Sequence, residues 1–267
     1  MNAAANADGT VGKALDVLDR VAAYGRPVRF GELLDESPFP KATLYRLLQT
    51  LANQGMLAYD PDRQTYAPGL RLVRLAHAAW AQFSIAPLAR PHLDQLSAEI
   101  GETVHLAQLD HGHVLYVDKR NAREPVEMFS QAGKVGPAYC TGVGKAILAF
   151  LEPDEQERML ALQSYHPFTA HTHASPSALR ADLNQIKQRG YAYDREEHEP
   201  GIICIAKPIQ ASSGRVLGAL SVTTTTTRTS LEGLDQLAPQ LARTALAIAA
   251  EAQAWAFPDD DIAKSRE

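Results

Sequence analysis

The stretch from Lys41 to Pro68 restricts the fold of this 267-residue chain more than any other. Leu44, Leu47, Leu48 and Leu51 recur at helical spacing, and Gly55 follows where a left-handed cap would stop a helix over Lys41 to Gln54. The chain then passes to two short alternating runs, Met56 to Tyr59 and Gln64 to Pro68, around the polar turn Asp60-Pro61-Asp62-Arg63, which predicts a hairpin. Upstream, Leu15, Leu18, Val21 and Ala22 predict one face of a helix over Lys13 to Ala23, closed by Gly25 and Pro27. Phe30 to Leu34 reads as a short second helix, followed by the turn Ser37-Pro38-Phe39-Pro40. Three helices and then a hairpin form a winged helix-turn-helix, expected over residues 11–69.

On the third helix, Ala42, Arg46, Gln49 and Asn53 lie opposite the leucine stripe, with Thr43 and Tyr45 on its flanks. This face is small, polar and singly charged, as a helix entering a major groove requires. Charge supports the reading only weakly. From Val11 to Arg74 there are nine Lys/Arg against seven Asp/Glu, whereas the whole chain carries a formal charge of −5. A three-helix module that binds another protein stays open as the alternative.

The run Pro40-Lys41-Ala42-Thr43-Leu44-Tyr45-Arg46-Leu47-Leu48-Gln49-Thr50-Leu51, with Gly55 and Tyr66-Ala67-Pro68-Gly69 after it, resembles the isocitrate lyase regulator (IclR-type) family of bacterial transcription regulators. The resemblance implies contacts with double-stranded operator DNA from Lys41, Thr43, Tyr45 and Arg46, and a wing contact from Arg63; Gln49 shares the outward face. Lys41 and Arg46 are placed for phosphates, and Thr43 and Tyr45 for base edges. Pro68 departs from the aliphatic residue common before that glycine.

Leu70 to Phe83 has no helix breaker, and Leu72, Leu75, Ala76 and Ala79 form one stripe, so a linker helix is expected over residues 70–86. Its apolar content points to packing against a partner, such as the same helix of a second subunit. Beyond Pro87 and Pro91, helices and strands mix. A helix is expected from Leu88 to Glu99. Strands are expected at Thr103 to Leu109, Val114 to Lys119, Val126 to Ser130, Tyr191 to Arg195, Ile203 to Gln210 and Val216 to Thr223. Helices are expected from Gly144 to Leu151, continuing after Pro153 through Leu162, from Ser175-Pro176 to Gly190, and from Ser230 to about Ala256. The fold class is α+β: the winged helix joined by the linker helix to an antiparallel-sheet domain over residues 87–256, with a disordered start (1–10) and a flexible acidic tail (257–267).

Glu197, Gly201-Ile202-Ile203-Cys204-Ile205-Ala206-Lys207-Pro208-Ile209, Gly214 and Gly218-Ala219-Leu220-Ser221-Val222, with Gly142-Val143-Gly144-Lys145-Ala146 before them, are similar to the same family. The implication is a GAF-like effector-binding domain in a homodimer or homotetramer. By resemblance, Gly142, Val143, Asp194, Cys204, Ser221 and Thr223 match ligand-contact positions. Gly142, Val143 and Gly144 open a helix whose free N–H groups suit a carboxylate. Asp194 suits ligand hydroxyls, and Cys204, Ser221 and Thr223 would share one face of adjacent strands. Such a site favours a sugar acid or a hydroxy- or keto-carboxylate. An aromatic acid is the rival, since Phe129 and Tyr139 could line the same cavity. The expected function is a DNA-binding regulator, more in keeping with a repressor, controlled by a small organic acid.

Other chemistries fit less well. Gly142-Val143-Gly144-Lys145 lacks the earlier glycine and the following Ser or Thr of a phosphate loop. Cys140 and Cys204 read as buried small hydrophobes rather than nucleophiles, so no catalytic residue is expected. The histidine pairs His111/His113 and His171/His173, and Asp194, His198 and Cys204, are possible zinc ligands, but solvated histidines are the plainer account and neither metal nor cofactor is expected. Two widely spaced cysteines, no signal-type leader and no long apolar run place the chain in the cytoplasm, away from membranes.

Overall fold

A computed structural model describes residues 9–253. Of the expected disordered start only Gly9 and Thr10 are described, and they open a helix rather than being disordered; the acidic tail, and the end of the last helix beyond Gln253, lie outside the described residues. The chain divides into two compact units, Met1–Gln82 and Phe83–Glu267.

The first unit contains α1 (Gly9–Ala23), β1 (Val28–Arg29), α2 (Phe30–Asp35), α3 (Lys41–Asn53), β2 (Leu57–Asp60), β3 (Thr65–Pro68) and α4 (Leu70–Phe83). Leu44, Leu47, Leu48 and Leu51 of α3 are all buried, against Val17, Leu18 and Val21 of α1. The inward face of α1 differs from the expected one: Val17 is buried, whereas Leu15 is 50% exposed. The helix starts four residues earlier than its apolar spacing suggested, and Val17 rather than Leu15 meets α3. The hairpin forms the wing, with Tyr59 opposite Tyr66 and Asp60 opposite Thr65. Asp60 Oδ1 accepts the N–H groups of Asp62 and Arg63 and so closes its turn. Sequence reading missed β1, two residues after a proline that pair with β3 as a third strand.

The second unit contains α5 (Ala86–Ile100), β4 (Thr103–Asp110), β5 (His113–Arg120), β6 (Val135–Pro137), α6 (Gly142–Leu148), α7 (Pro153–Ala161), α8 (Pro176–Arg189), β7 (Ala192–Arg195), β8 (Ile202–Gln210), β9 (Val216–Thr225), α9 (Leu231–Asp235) and α10 (Ala238–Gln253). Its strands form one antiparallel sheet in the order β6-β5-β4-β9-β8-β7. Alternation along β8 and β9 sends Ile203, Ile205, Leu220 and Val222 to one face, where they pack with α5 and α10. Ala206 and Ala219 face the other way, toward α6, α7 and α8. Small residues on that second face let α6 lie close to the sheet.

Two expectations fail. Val126 to Ser130 is not a strand; the outer partner of β5 is the short β6 instead. The Phe129 N–H that a ladder would have used is taken by the Glu199 carboxylate, at 3.0 and 3.2 Å. The long final helix is two helices. Pro239 has no N–H to continue a ladder, but fits the first turn of a new helix, and α10 restarts there. Among the described residues no helix is long and apolar enough to cross a membrane.

Candidate functional site

In the first unit, Lys41 opens α3 and is exposed, as are Tyr45 and Arg46 one turn on. The Tyr45 ring stands edge-on to Phe30, with centroids 6.1 Å apart, which fixes its direction while leaving 55% of the residue exposed. Thr43 is only half-exposed. Gln49 turns back to the wing, its Nε2 donating to Tyr66 Oη at 3.5 Å, a long contact that still ties α3 to β3. Arg63 projects from the wing turn. Lys41 and Tyr45 border an open groove of about 720 Å³, whose other walls include Arg29, Phe30, Tyr59 and Gln64. Every charged residue lining the groove, Arg29 and Lys41, is basic. Arg29, Tyr59 and Gln64 were not among the residues expected on this face, because they come from β1 and the wing rather than from the helix whose periodicity was read.

In the second unit, Asp194, Cys204, Ser221 and Thr223 converge. The ladders place Asp194 opposite Cys204 and Cys204 opposite Thr223, with Ser221 two residues along the same face. Together with Thr141, Gly142 and Val143 they line a narrow cavity of about 30 Å³, space for the centres of only one or two waters. Gly144 is not in its wall. A Cβ on Gly144 would lie 2.3 Å from the Ala138 carbonyl oxygen, so that glycine serves close packing of α6 on the preceding segment. Gly142 does border the cavity, and a Cβ there would lie 2.2 Å from Cys204 Sγ. The approach it permits in this structure is that of the thiol.

Burial, and then the nearby Glu197 carboxylate, push the Asp194 carboxyl up to about 8, so it is mainly protonated at neutral pH. Its Oδ1 accepts the Glu197 N–H at 2.8 Å. Burial pushes both the Cys204 and Cys140 thiols well above their ordinary range, Asp194 adding to each, which removes the thiolate a nucleophile needs. The cavity also contains groups that sequence reading gave no place. His105 lies opposite Ser221 on β4; its Nδ1 is 3.2 Å from Thr223 Oγ1 and its Nε2 is 2.8 Å from Ser130 Oγ. Burial, aided by the Lys119 charge, lowers His105 to about 3, leaving the ring neutral. Phe129 lines the cavity as the sequence suggested, and Tyr116, Met128, His198, Glu199 and Ile202 complete the wall. Tyr139 does not reach it; its hydroxyl donates to the His166 carbonyl.

Lys145, which follows Gly144 in the glycine motif, is fully buried. Its Nζ donates to Asp182 Oδ2 at 2.7 Å and to Glu197 Oε1 at 2.5 Å. Burial opposes its charge, but the Glu197 and Asp182 carboxylates outweigh that and raise its pKa. The motif is thus an anchor for α6 rather than a phosphate loop.

Residues 10–61 match the family model for the IclR helix-turn-helix domain, and residues 77–250 match that for the bacterial transcriptional regulator IclR C-terminal domain. The chain is 32% identical over 239 residues to the HTH-type transcriptional regulator XynR of Escherichia coli (strain K12), covering 90% of this chain and 95% of that one. It is also 32% identical over 244 residues to the HTH-type transcriptional regulator KdgR of the same organism, covering 91% and 93%. The crystal structure of the Thermotoga maritima IclR superposes with a TM-score of 0.74 at 28% identity, covering 91% of this chain and 98% of that one.

Proposed function

Because the chain belongs to the IclR family of bacterial transcriptional regulators, we propose that it binds operator DNA through the α3 and wing groove and a small organic acid in the cavity beside α6. The observation that carries this reading is the presence in one chain of a groove lined by basic and aromatic residues and of a cavity onto which hydroxyl, carboxyl and imidazole groups converge. Lys41, Arg46 and Arg29 contact phosphates, while Tyr45 reaches the base edges in the groove of the duplex. Two copies bind a pseudo-palindromic site in the cytoplasm. Leu70, Val73 and Leu75, each at least half exposed on α4, are the surface that a second copy covers.

Cavity size narrows the effector. Any acid must widen the cavity, a small hydroxy- or keto-carboxylate least and a sugar acid or aromatic acid most, and residues Met128 and Phe129 form part of the wall that would move. Phe129, Tyr116 and His198 supply the ring contacts an aromatic acid would use, so aromatic acids belong in the same screen.

Fluorescence anisotropy of the full chain on its operator tests the division of labour. Arg46→Ala should weaken DNA binding about tenfold and reduce the salt slope by about one while sparing effector binding. Asp194→Ala should weaken the effector response about tenfold and leave DNA affinity unchanged. Equal loss of both activities in either variant defeats the assignment. Release of DNA on addition of the acid is the behaviour of a repressor; tighter binding is that of an activator or corepressed regulator.

A further inference from the structure

We propose that His173, Asp182 and Glu197 form a binding site for a divalent transition cation, with zinc as its best occupant, separate from the effector cavity. The three ligand atoms come from three segments: the loop before α8, α8 itself, and the turn between β7 and β8. They lie within 4.8 Å of one another. His173 Nε2 is 3.2 Å from Asp182 Oδ2 and 3.6 Å from Glu197 Oε2. A tetrahedral cation with bonds of about 2.1 Å sets its ligand atoms about 3.4 Å apart, midway between these two spacings.

A second observation points to the same place. Glu197 is 2% exposed, and its Oε2 has no hydrogen-bond partner among the described residues. A buried carboxylate oxygen without a donor is unfavourable, and this oxygen is the one that faces His173. Lys145 does not fill the position. It holds Glu197 Oε1 and shares Asp182 Oδ2 with His173, whose Nε2 hydrogen-bonds that oxygen at 3.2 Å and would have to exchange this bond for the cation. Arg195 stands 3.5 Å from Asp182 Oδ1, on the other carboxylate oxygen.

One imidazole and two carboxylates suit first-row dications such as Zn²⁺ or Mn²⁺ over Mg²⁺, and three protein ligands leave a position for water. The Lys145 and Arg195 charges already balance the two carboxylates, so affinity should fall below that of a closed structural zinc site. None of the three ligands lines the effector cavity, but the Glu197 N–H holds Asp194, which does. The histidine pairs visible in the sequence do not converge in the same way. His111 is exposed and bonds Asp110 at 2.7 Å, and His171 is exposed beside His173.

The test uses the full chain, stripped with chelator and titrated with zinc chloride alone by calorimetry, with metal content checked by mass spectrometry. One zinc per chain is expected, with affinity at least about tenfold weaker in His173→Gln and unchanged in His171→Gln and His111→Gln. Cobalt loaded in place of zinc should give visible absorption bands that His173→Gln abolishes. His173 is partly exposed, so this variant should fold, and circular dichroism verifies it. Failure to bind stoichiometric zinc, affinity unaffected by His173→Gln, or equal loss in the His171→Gln control would overturn the proposal. Metal is the only ligand added, so the result stands apart from any outcome with DNA or effector.

Discussion

Gly142 and Gly144 stand two residues apart, and an added methyl group would meet a different obstacle at each. At Gly142 it would strike Cys204 Sγ, the end of a side chain; at Gly144 it would strike the Ala138 backbone. Gly144→Ala should therefore destabilise the carboxy-terminal unit by about 1–3 kcal/mol or more, whatever is done to its neighbours. Gly142→Ala should be partly rescued by Cys204→Ala, with a coupling energy of about 1 kcal/mol in a denaturation double-mutant cycle. Additive effects would show that the contact is not what requires glycine. His105 gives a pH-dependent counterpart. Its folded-state pKa of about 3 lies below the ordinary 6.5, so between these values the unfolded chain binds the extra proton. Stability must fall as pH falls through that window, with a slope approaching about 1.4 kcal/mol per pH unit, and His105→Gln should flatten it. The sequence made Cys204, Ser221 and Thr223 legible, because residues alternating along strands share a face. It hid His105, since its approach to Ser130 and Thr223 depends on strand register and on a segment with no periodicity. Lys145 was equally hidden, because its two carboxylates lie 37 and 52 residues away.

Among the elements, α6 is held by charge as much as by its apolar face. Lys145 ties it to α8 and to the β7–β8 turn through two buried carboxylates. Lys145→Met should destabilise the carboxy-terminal unit by about 3–5 kcal/mol, because it leaves Asp182 and Glu197 without their buried ammonium partner. Urea denaturation reads this directly, and a loss below about 1 kcal/mol would mean that Arg195 and solvent already satisfy the carboxylates. Most elements could be read from local chemistry: Ser175 caps α8 by accepting the Ala178 N–H, and Gly190 ends it in the left-handed conformation. The break at Pro239 had a local signal, but the missing strand did not. Val126 to Ser130 has strand-forming residues but gives its Phe129 N–H to a side chain 70 positions away, and nothing local announces that partner.

For the whole molecule, separate apolar cores in the two units predict two unfolding transitions in calorimetry. Effector at about a hundred times its dissociation constant should stabilise only the carboxy-terminal transition, by about 2.7 kcal/mol, and operator DNA only the other. A single transition shifted by both ligands would mean that the units unfold together. The cavity itself has unlike walls. One is made of paired strands and an α6 pinned by Ala138, Cys204 and Lys145. The other runs through residues 121–134, which contain no helix or strand, and is held at the cavity by the Phe129 N–H and Ser130 Oγ. Substitutions in that one short, irregular stretch could therefore reshape the cavity for a different small molecule without touching the ladders that make the unit foldable.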